Sequence, residues 1–98
     1  MIQRQPAVYL MTNKCHGTLY IGVASNLVAR IWQHKNKAAN GFTKKYNLTR
    51  LVYFEVFEDM YEAISREKQL KAGSRRTKIQ LIEKRNSEWQ DLYDEIRA

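Results

Sequence analysis

The sequence has few of the residues that would support several common kinds of site. Its single cysteine, Cys15, excludes an intrachain disulfide and leaves no second thiol for a zinc or redox pair. It has neither a glycine-rich phosphate loop nor a serine in a nucleophile-elbow motif. No apolar run is long enough for a signal peptide or a membrane span, so we expect a cytoplasmic protein.

The sequence also has few features that are typical of linkers between domains. The chain has 98 residues with one proline and four glycines, and it shows no repeat or low-complexity tract. Hydrophobic residues make up 44% and charged residues 28% of the chain, which is typical of a globular domain with one modest core. We therefore expect one domain over residues 1–98, with its core at about 7–86 and a C-terminal tail at 87–98.

Acidic residues are absent from the first 54 positions. Residues 1–54 contain eight Lys or Arg, whereas residues 55–98 contain nine basic and ten acidic residues, so the net charge of +7 is polarised. A second basic run surrounds Glu67 and comprises Arg66, Lys68, Lys71, Arg75, Arg76 and Lys78. Clustered cations favour a nucleic acid, because each neutralised phosphate releases counterions. A membrane surface is less favoured, since no basic helix has a broad exposed apolar face.

Hydrophobic patterns predict the element order ββαβαα. Residues 7–12 and 18–23 are rich in β-formers and flank a turn-compatible run, which predicts a β-hairpin. Helical spacing of apolar residues from Leu27 predicts a helix to about residue 37. The polar, basic stretch at 38–50 has little periodicity, and we expect a loop there.

The strongest strand signal lies at residues 51–57, whose few polar atoms predict a central strand buried on both faces. Asp59 and Ser74 are N-cap candidates for two further helices, the first of which ends at Gly73. Trp89 and Tyr93 are expected to pack the tail onto the domain. The predicted fold class is α+β, with a small, mainly antiparallel three-stranded sheet flanked by helices.

Glu67 interrupts an apolar helical face that includes Met60, Ala63 and Leu70. A carboxylate in that position needs a cation or hydrogen-bond donors to compensate its burial. A single hard oxygen ligand suits Mg²⁺ or Mn²⁺, which keep several waters and take other ligands from substrate phosphates. The alternative is an ion pair with Arg30 or a neighbouring lysine, or a position at the edge of the face.

Arg30 and His34 lie one turn apart on the first predicted helix. Together they are suited to grip a phosphate, because arginine binds its oxygens as a fork and histidine donates a hydrogen bond or moves a proton. A solvated helix flank is the alternative interpretation.

Tyr9 and Tyr20 lie one on each strand of the predicted hairpin. They share a face if Tyr9 stands opposite Tyr20, as a four-residue loop at 13–16 would allow, whereas a one-residue slip would separate them. Two half-buried sheet tyrosines without a chemical role are the alternative.

The two tyrosines also belong to a motif that resembles the signature of the GIY-YIG endonuclease family. Residues 20–22 read Tyr-Ile-Gly, and residues 7–9 read Ala-Val-Tyr, which is the GIY element with Gly replaced by Ala and Ile by Val. Arg30, His34 and Glu67 follow where the family keeps its arginine, its histidine or tyrosine, and its metal-binding glutamate. The resemblance covers about residues 7–86 and is closest to the small stand-alone bacterial members.

The resemblance implies a metal-dependent endonuclease that hydrolyses DNA phosphodiester bonds, with Tyr9 or Tyr20 activating a water. The metal, Arg30 and His34 would lower the pKa of that phenol, and Arg30 would offset transition-state charge. The implied catalytic residues are Tyr9, Tyr20, Arg30, His34, Glu67 and Asn86. The implied DNA-binding cations are Lys35, Lys37, Lys44, Lys45, Lys68, Lys71, Arg75 and Arg76.

The implied cofactor is one Mg²⁺ or Mn²⁺ at Glu67, bound weakly without DNA. The implied partner is DNA, including branched repair or recombination intermediates, acted on by a monomer or a weak homodimer with no membrane partner. Two positions depart from the family pattern: Val23 stands where many relatives have a lysine, and Asn86 is farther from Glu67 than in the excision-repair relatives.

Two other functions remain open at this point. A catalytically weak nucleic-acid-binding module of the same fold is favoured by Val23. A structural or regulatory partner, in which the tyrosines, Arg30 and Glu67 form a buried polar network, is disfavoured by the polarised charge.

Overall fold

A computed structural model describes residues 5–37 and 41–97, and those ranges contain three strands and five helices. The strands are β1 (Ala7–Thr12), β2 (Leu19–Ala24) and β3 (Arg50–Val56). The helices are α1 (Leu27–Lys35), α2 (Phe42–Lys45), α3 (Met60–Ala72), α4 (Arg75–Arg85) and α5 (Tyr93–Arg97). The α+β class and the order ββαβαα are confirmed, with α2 and α5 as additional short helices.

The sheet is antiparallel throughout, with the strand order β2-β1-β3. The prediction that the third strand is central is wrong. All six residues of β1 are buried, whereas β3 is buried only at Leu51, Val52 and Tyr53 and becomes exposed by Val56. An apolar run can be buried on both faces while only one edge of its strand is paired, so its composition does not reveal its place in the sheet.

Each face of the sheet has its own hydrophobic core, because successive side chains of a strand point to opposite faces. On one face, Tyr9 and Met11 pack with Leu27 and Ile31 of α1. On the other face, Val8 and Leu10 pack with residues of α3, α4 and the tail, namely Leu70, Ile82 and Trp89. Trp89 is fully buried, so the expected packing of the tail onto the domain is confirmed.

Three helices begin at a side-chain cap, two of them at the predicted residues Asp59 and Ser74. Asn26, Asp59 and Ser74 accept hydrogen bonds at 3.1, 2.9 and 3.1 Å from backbone N–H groups in the first turns of α1, α3 and α4. Gly73 lies at the C-cap of α3 as expected. No helix in the described ranges is both long and apolar enough to cross a membrane.

The loop prediction for 38–50 is wrong at α2, while residues 38–40 lie outside the described residues. Thr43 and Leu48 are buried, and the Leu48 N–H donates to the Thr43 carbonyl at 2.8 Å. A four-residue helix is too short to show hydrophobic periodicity, so the sequence pattern could not reveal it.

The hairpin register also differs from the expected one. Tyr9 stands opposite Gly22, and Tyr20 stands opposite Met11, so the connection spans residues 13–18. The offset between the two tyrosines is two residues, which leaves both side chains on the same face. The two tyrosines therefore share a face, although they do not stand opposite each other.

Gly22 is required where the Tyr9 ring crosses β2. A Cβ atom at this position would lie 2.3 Å from Tyr9 Oη, 2.4 Å from Tyr9 Cζ and 2.9 Å from Tyr20 Cε2. These separations are too short for non-bonded atoms, so the strand glycine makes room for the phenol.

We predict that Gly22→Ala lowers the free energy of unfolding by about 2–3 kcal/mol, because the added Cβ would overlap the buried Tyr9 ring. Gly73→Ala is the matched control, since a Cβ there meets its nearest atom at 3.5 Å. Urea denaturation of both variants measures the difference, and equal stability would contradict the steric role of Gly22.

Candidate active site

His34 joins three elements of the fold through its two ring nitrogens. Its Nε2 lies 2.8 Å from Tyr9 Oη of β1, and its Nδ1 lies 3.0 Å from Thr43 Oγ1 of α2. His34 itself is on α1 and is only 5% exposed. Sequence reasoning missed Thr43, because nothing in the 38–50 pattern distinguishes it from a loop threonine.

Burial sets the protonation states of this chain of groups. Burial lowers the pKa of His34 to about 4, and Arg30 acts in the same direction. Burial also raises the pKa of Tyr9 above its usual value, as do Tyr20 and Glu67, while Arg30 opposes the shift. Near neutral pH the pair is therefore a neutral imidazole and a protonated phenol. The expectation that His34 supplies positive charge to lower the pKa of Tyr9 is wrong for the protein without ligands.

These states favour one direction for the hydrogen bonds. The Tyr9 hydroxyl donates to His34 Nε2, and His34 Nδ1–H donates to Thr43 Oγ1. In this tautomer the imidazole has its basic nitrogen directed at the phenol. The hydrogen bond gives the phenol proton a path to His34, but burial opposes the transfer because it would leave two charged groups.

Tyr20 completes an aromatic cluster around His34. The centroid of its ring lies 6.3 Å from that of Tyr9 and 5.9 Å from that of His34, the latter in an edge-on arrangement. Tyr20 is partly exposed, unlike Tyr9, so it lies on the solvent side of the cluster.

Arg30 and Glu67 bring opposite charges to the same phenol. Arg30 is exposed one turn before His34 on α1 and donates to Gln33 Oε1 at 3.3 Å. Glu67 comes from α3, and its side chain is 16% exposed and ion-paired with Lys71 Nζ at 3.2 Å. Both charges act on the pKa of Tyr9, so Arg30 and Glu67 lie near the cluster formed by Tyr9, Tyr20 and His34.

The donor set at Glu67 fits a magnesium-type ion better than a closed metal centre. Within residues 5–37 and 41–97, no three His, Cys, Asp or Glu side chains are grouped to hold a metal. Structural zinc sites need about four such ligands. A partly buried carboxylate whose partner is an exposed lysine instead suits a hard cation that keeps its waters and binds substrate phosphate.

Comparison with known proteins identifies the family of the chain. A model of the GIY-YIG catalytic domain matches residues 5–80. The chain belongs to the GIY-YIG family. It is 37% identical over 89 residues to a UPF0213 protein of Clostridium perfringens, which covers 90% of this chain and 96% of that one. It is 39% identical over 75 residues to a UPF0213 protein of Staphylococcus saprophyticus, covering 76% and 92%.

A solved structure has the same fold. The solution NMR structure of a UPF0213 protein from Bacillus halodurans matches with a TM-score of 0.55 at 26% identity, covering 89% of this chain and 92% of that one. The resemblance to small bacterial members of this nuclease family is thereby confirmed.

The two elements of the GIY-YIG signature are in direct contact in this chain. Its first tyrosine, Tyr9, lies against the glycine of the second element, Gly22. Val23, at which the resemblance implied a departure from the family pattern, lies by strand alternation on the opposite face of β2 from Tyr20.

Asn86 is not brought to the aromatic cluster. Its side chain donates to the carbonyls of Val52 at 3.1 Å and Gln90 at 2.8 Å and accepts from the Gln90 N–H at 2.9 Å. Val52 is the extra residue of a β-bulge, since Leu10 pairs with Tyr53 and Met11 with Leu51. Asn86 thus ties the tail to β3 at the bulge, which is a structural position.

The predicted DNA-binding cations fall into two groups. Lys37, Lys44, Lys45, Lys68 and Arg76 are exposed. Three others have intramolecular partners: Lys35 pairs with Asp91 and donates to the Thr49 carbonyl, Arg75 donates to the His16 and Gly17 carbonyls, and Lys71 pairs with Glu67. Lys35 is partly buried and fastens the tail, so it differs most from the expectation of a free phosphate ligand.

The depressed pKa of His34 predicts a specific loss of stability in acid. The unfolded chain binds a proton at about pH 6.5, whereas folded His34 does so only at about pH 4, so acidification favours unfolding across this range. From pH 7 to pH 5, the free energy of unfolding should fall by about 2 kcal/mol on account of this residue.

Urea denaturation at several pH values measures this loss. His34→Gln should be less stable at pH 7 but should lose the His34 part of the slope, while His16→Gln, which changes an exposed histidine, should keep it. Identical slopes in all three proteins would show that His34 is protonated as easily in the folded chain as in the unfolded one.

Proposed function

We propose that this protein is a metal-dependent endonuclease that hydrolyses DNA phosphodiester bonds with a tyrosine-activated water. One observation carries the proposal: the Tyr9 phenol is hydrogen-bonded to a neutral imidazole, and Tyr20, Arg30 and Glu67 all act on its pKa. Family membership and the net charge of +7 support nucleic acid as the substrate.

In this proposal, Tyr9 and His34 move the proton of the attacking water. As the water oxygen forms its bond to phosphorus, Tyr9 Oη accepts the water proton and passes its own to His34 Nε2. The resulting imidazolium is stabilised by the hydrogen bond from Nδ1–H to Thr43 Oγ1. The bond to the 3′ oxygen breaks, and that oxygen takes a proton from solvent, leaving a 5′-phosphate and a 3′-hydroxyl.

The other residues bind and neutralise the phosphate. Arg30 presents a guanidinium fork to the phosphate oxygens and offsets the charge that develops in the transition state. Tyr20, on the solvent side of the cluster, positions the water or the phosphate. Glu67 would hold one Mg²⁺ or Mn²⁺, which supplies Lewis-acid stabilisation of the leaving oxygen when bound. Binding of that ion would replace the ion pair between Glu67 and Lys71.

A nucleic-acid-binding module with weak catalysis is the second candidate. The Glu67–Lys71 ion pair favours it, because a lysine that keeps the carboxylate occupied also keeps the site without a cation. The two functions differ in whether cleavage depends on Glu67.

We predict that the wild-type protein nicks supercoiled plasmid in Mg²⁺ or Mn²⁺ and that Glu67→Gln reduces the rate by at least about a hundredfold. The substitution keeps size and hydrogen bonding but removes the charge that attracts the ion. Glu62→Gln on the exposed side of the same helix is the matched control. Equal nicking by wild type and Glu67→Gln, with both proteins folded by circular dichroism, would refute the proposed metal ligand.

Substitution of Arg30 should mainly affect catalysis, whereas substitution of Lys44 should mainly affect DNA binding. Arg30→Ala should lower the single-turnover cleavage rate about 10²–10³-fold with a modest loss of DNA affinity, because it acts mainly on transition-state charge. Lys44→Ala, at an exposed position of α2, should weaken binding and reduce the salt slope of the affinity by about one. An equal binding loss in both variants would contradict this division.

A further inference from the structure

An open cavity of about 480 Å³ lies beside Tyr20 and extends the candidate active site outward. Its apolar side is formed by Leu19, Tyr20, Ile21 and Phe42, and its cations are Lys71, Arg75 and Lys78. The volume falls within the range of roughly 300–1,000 Å³ typical of small-molecule sites.

Aromatic rings lead from the site to the surface along α2. Phe42 stacks on Tyr20 with ring centroids 6.2 Å apart and an angle of 26° between the planes. Tyr46 lies against the other end of this pair, 4.6 Å from Phe42. Phe42 is 45% exposed and Tyr46 is 41% exposed. Two adjacent large aromatic side chains left this open offer flat apolar surface to a ligand.

Neutral carbonyl groups hold two of the cations at the cavity. Arg75 donates to the His16 and Gly17 carbonyls at 2.9 and 2.7 Å, and Lys78 donates to the Gly73 carbonyl at 2.8 Å. Carbonyls fix the positions of these groups without cancelling their charge. A ligand that matches the cavity therefore has a flat apolar part and a negative charge beside it.

A nucleotide has both properties, but its base must be free. A base inside a duplex is paired and stacked on its neighbours, so its flat face is not available to a side chain. Proteins that bind single strands combine a basic surface with aromatic side chains on which unpaired bases stack. The cavity at Phe42 has this combination, directly beside the phenols of the active site.

We propose that the cavity binds one unpaired nucleobase of DNA next to the phosphate at Arg30, with Phe42 as the residue on which it stacks. The favoured substrates are then single strands, flaps and gaps, in which a nucleotide at the cleavage point is unpaired. The cleavage preference rests on the proposed nuclease function, whereas base binding does not.

Fluorescence of a 2-aminopurine base in a single-stranded oligonucleotide, titrated with protein without added divalent metal, tests the stacking directly. Wild-type protein should quench the fluorescence, because the base stacks. Phe42→Ala should remove the quenching and weaken the affinity about tenfold, whereas Phe42→Tyr should retain both. The uninterrupted duplex of the same sequence should bind wild type and Phe42→Ala equally.

Tyr61→Ala is the matched control, since Tyr61 is an 80% exposed aromatic residue in the first turn of α3 that does not line the cavity. It should bind and quench like wild type. Unchanged affinity for the single strand in Phe42→Ala, or the same loss for duplex and single strand, would overturn the proposal. Quenching that depends on Phe42 in a wild-type protein that cleaves no DNA would refute the nuclease but support the base site.

Discussion

The close approach of the Tyr9 ring to Gly22 is the constraint on which the candidate site depends. Because β2 has no side chain at this position, the phenol has room to occupy the place from which its hydroxyl reaches His34 on α1. His34 in turn reaches Thr43 on α2, so a buried chain of three polar side chains joins the sheet to two helices. The strand register that places Gly22 opposite Tyr9 therefore makes room for the hydrogen bonds of the candidate site.

That buried chain satisfies its own polar atoms. In the part of the chain that the structure describes, no buried side-chain nitrogen or oxygen is left without a hydrogen-bond partner. The same burial keeps His34 neutral and Tyr9 protonated, so the resting site holds a base and a proton donor already in contact. A cation at Glu67 and a phosphate at Arg30 would each change the pKa of the phenol, because the charges of both residues act on Tyr9.

Sequence patterns predicted the fold class and the helix caps at Asp59 and Ser74, and the family resemblance pointed to Tyr9, Tyr20 and His34, which form the aromatic cluster. They failed on the hairpin register, because a two-residue offset leaves every side chain on its face and is invisible to alternation. They missed Thr43, because α2 is a single turn, and they placed Asn86 at the site, although its hydrogen bonds lie at the β3 bulge. Local sequence patterns were sufficient to predict most of the helices and strands. They did not predict the contacts between residues that are distant in the sequence.

The position of β3 at the edge of the sheet has a consequence for pairing with other chains. An unprotected edge strand is a template for pairing with other chains. Here the tail covers its first half, since the Leu92 N–H donates to the Leu51 carbonyl at 2.8 Å and Asp91 accepts from the Leu51 N–H at 3.2 Å. Beyond the bulge at Val52, the ion pair between Glu55 and Arg66 places charge along the strand. The irregular and charged edge therefore disfavours the addition of another strand at β3.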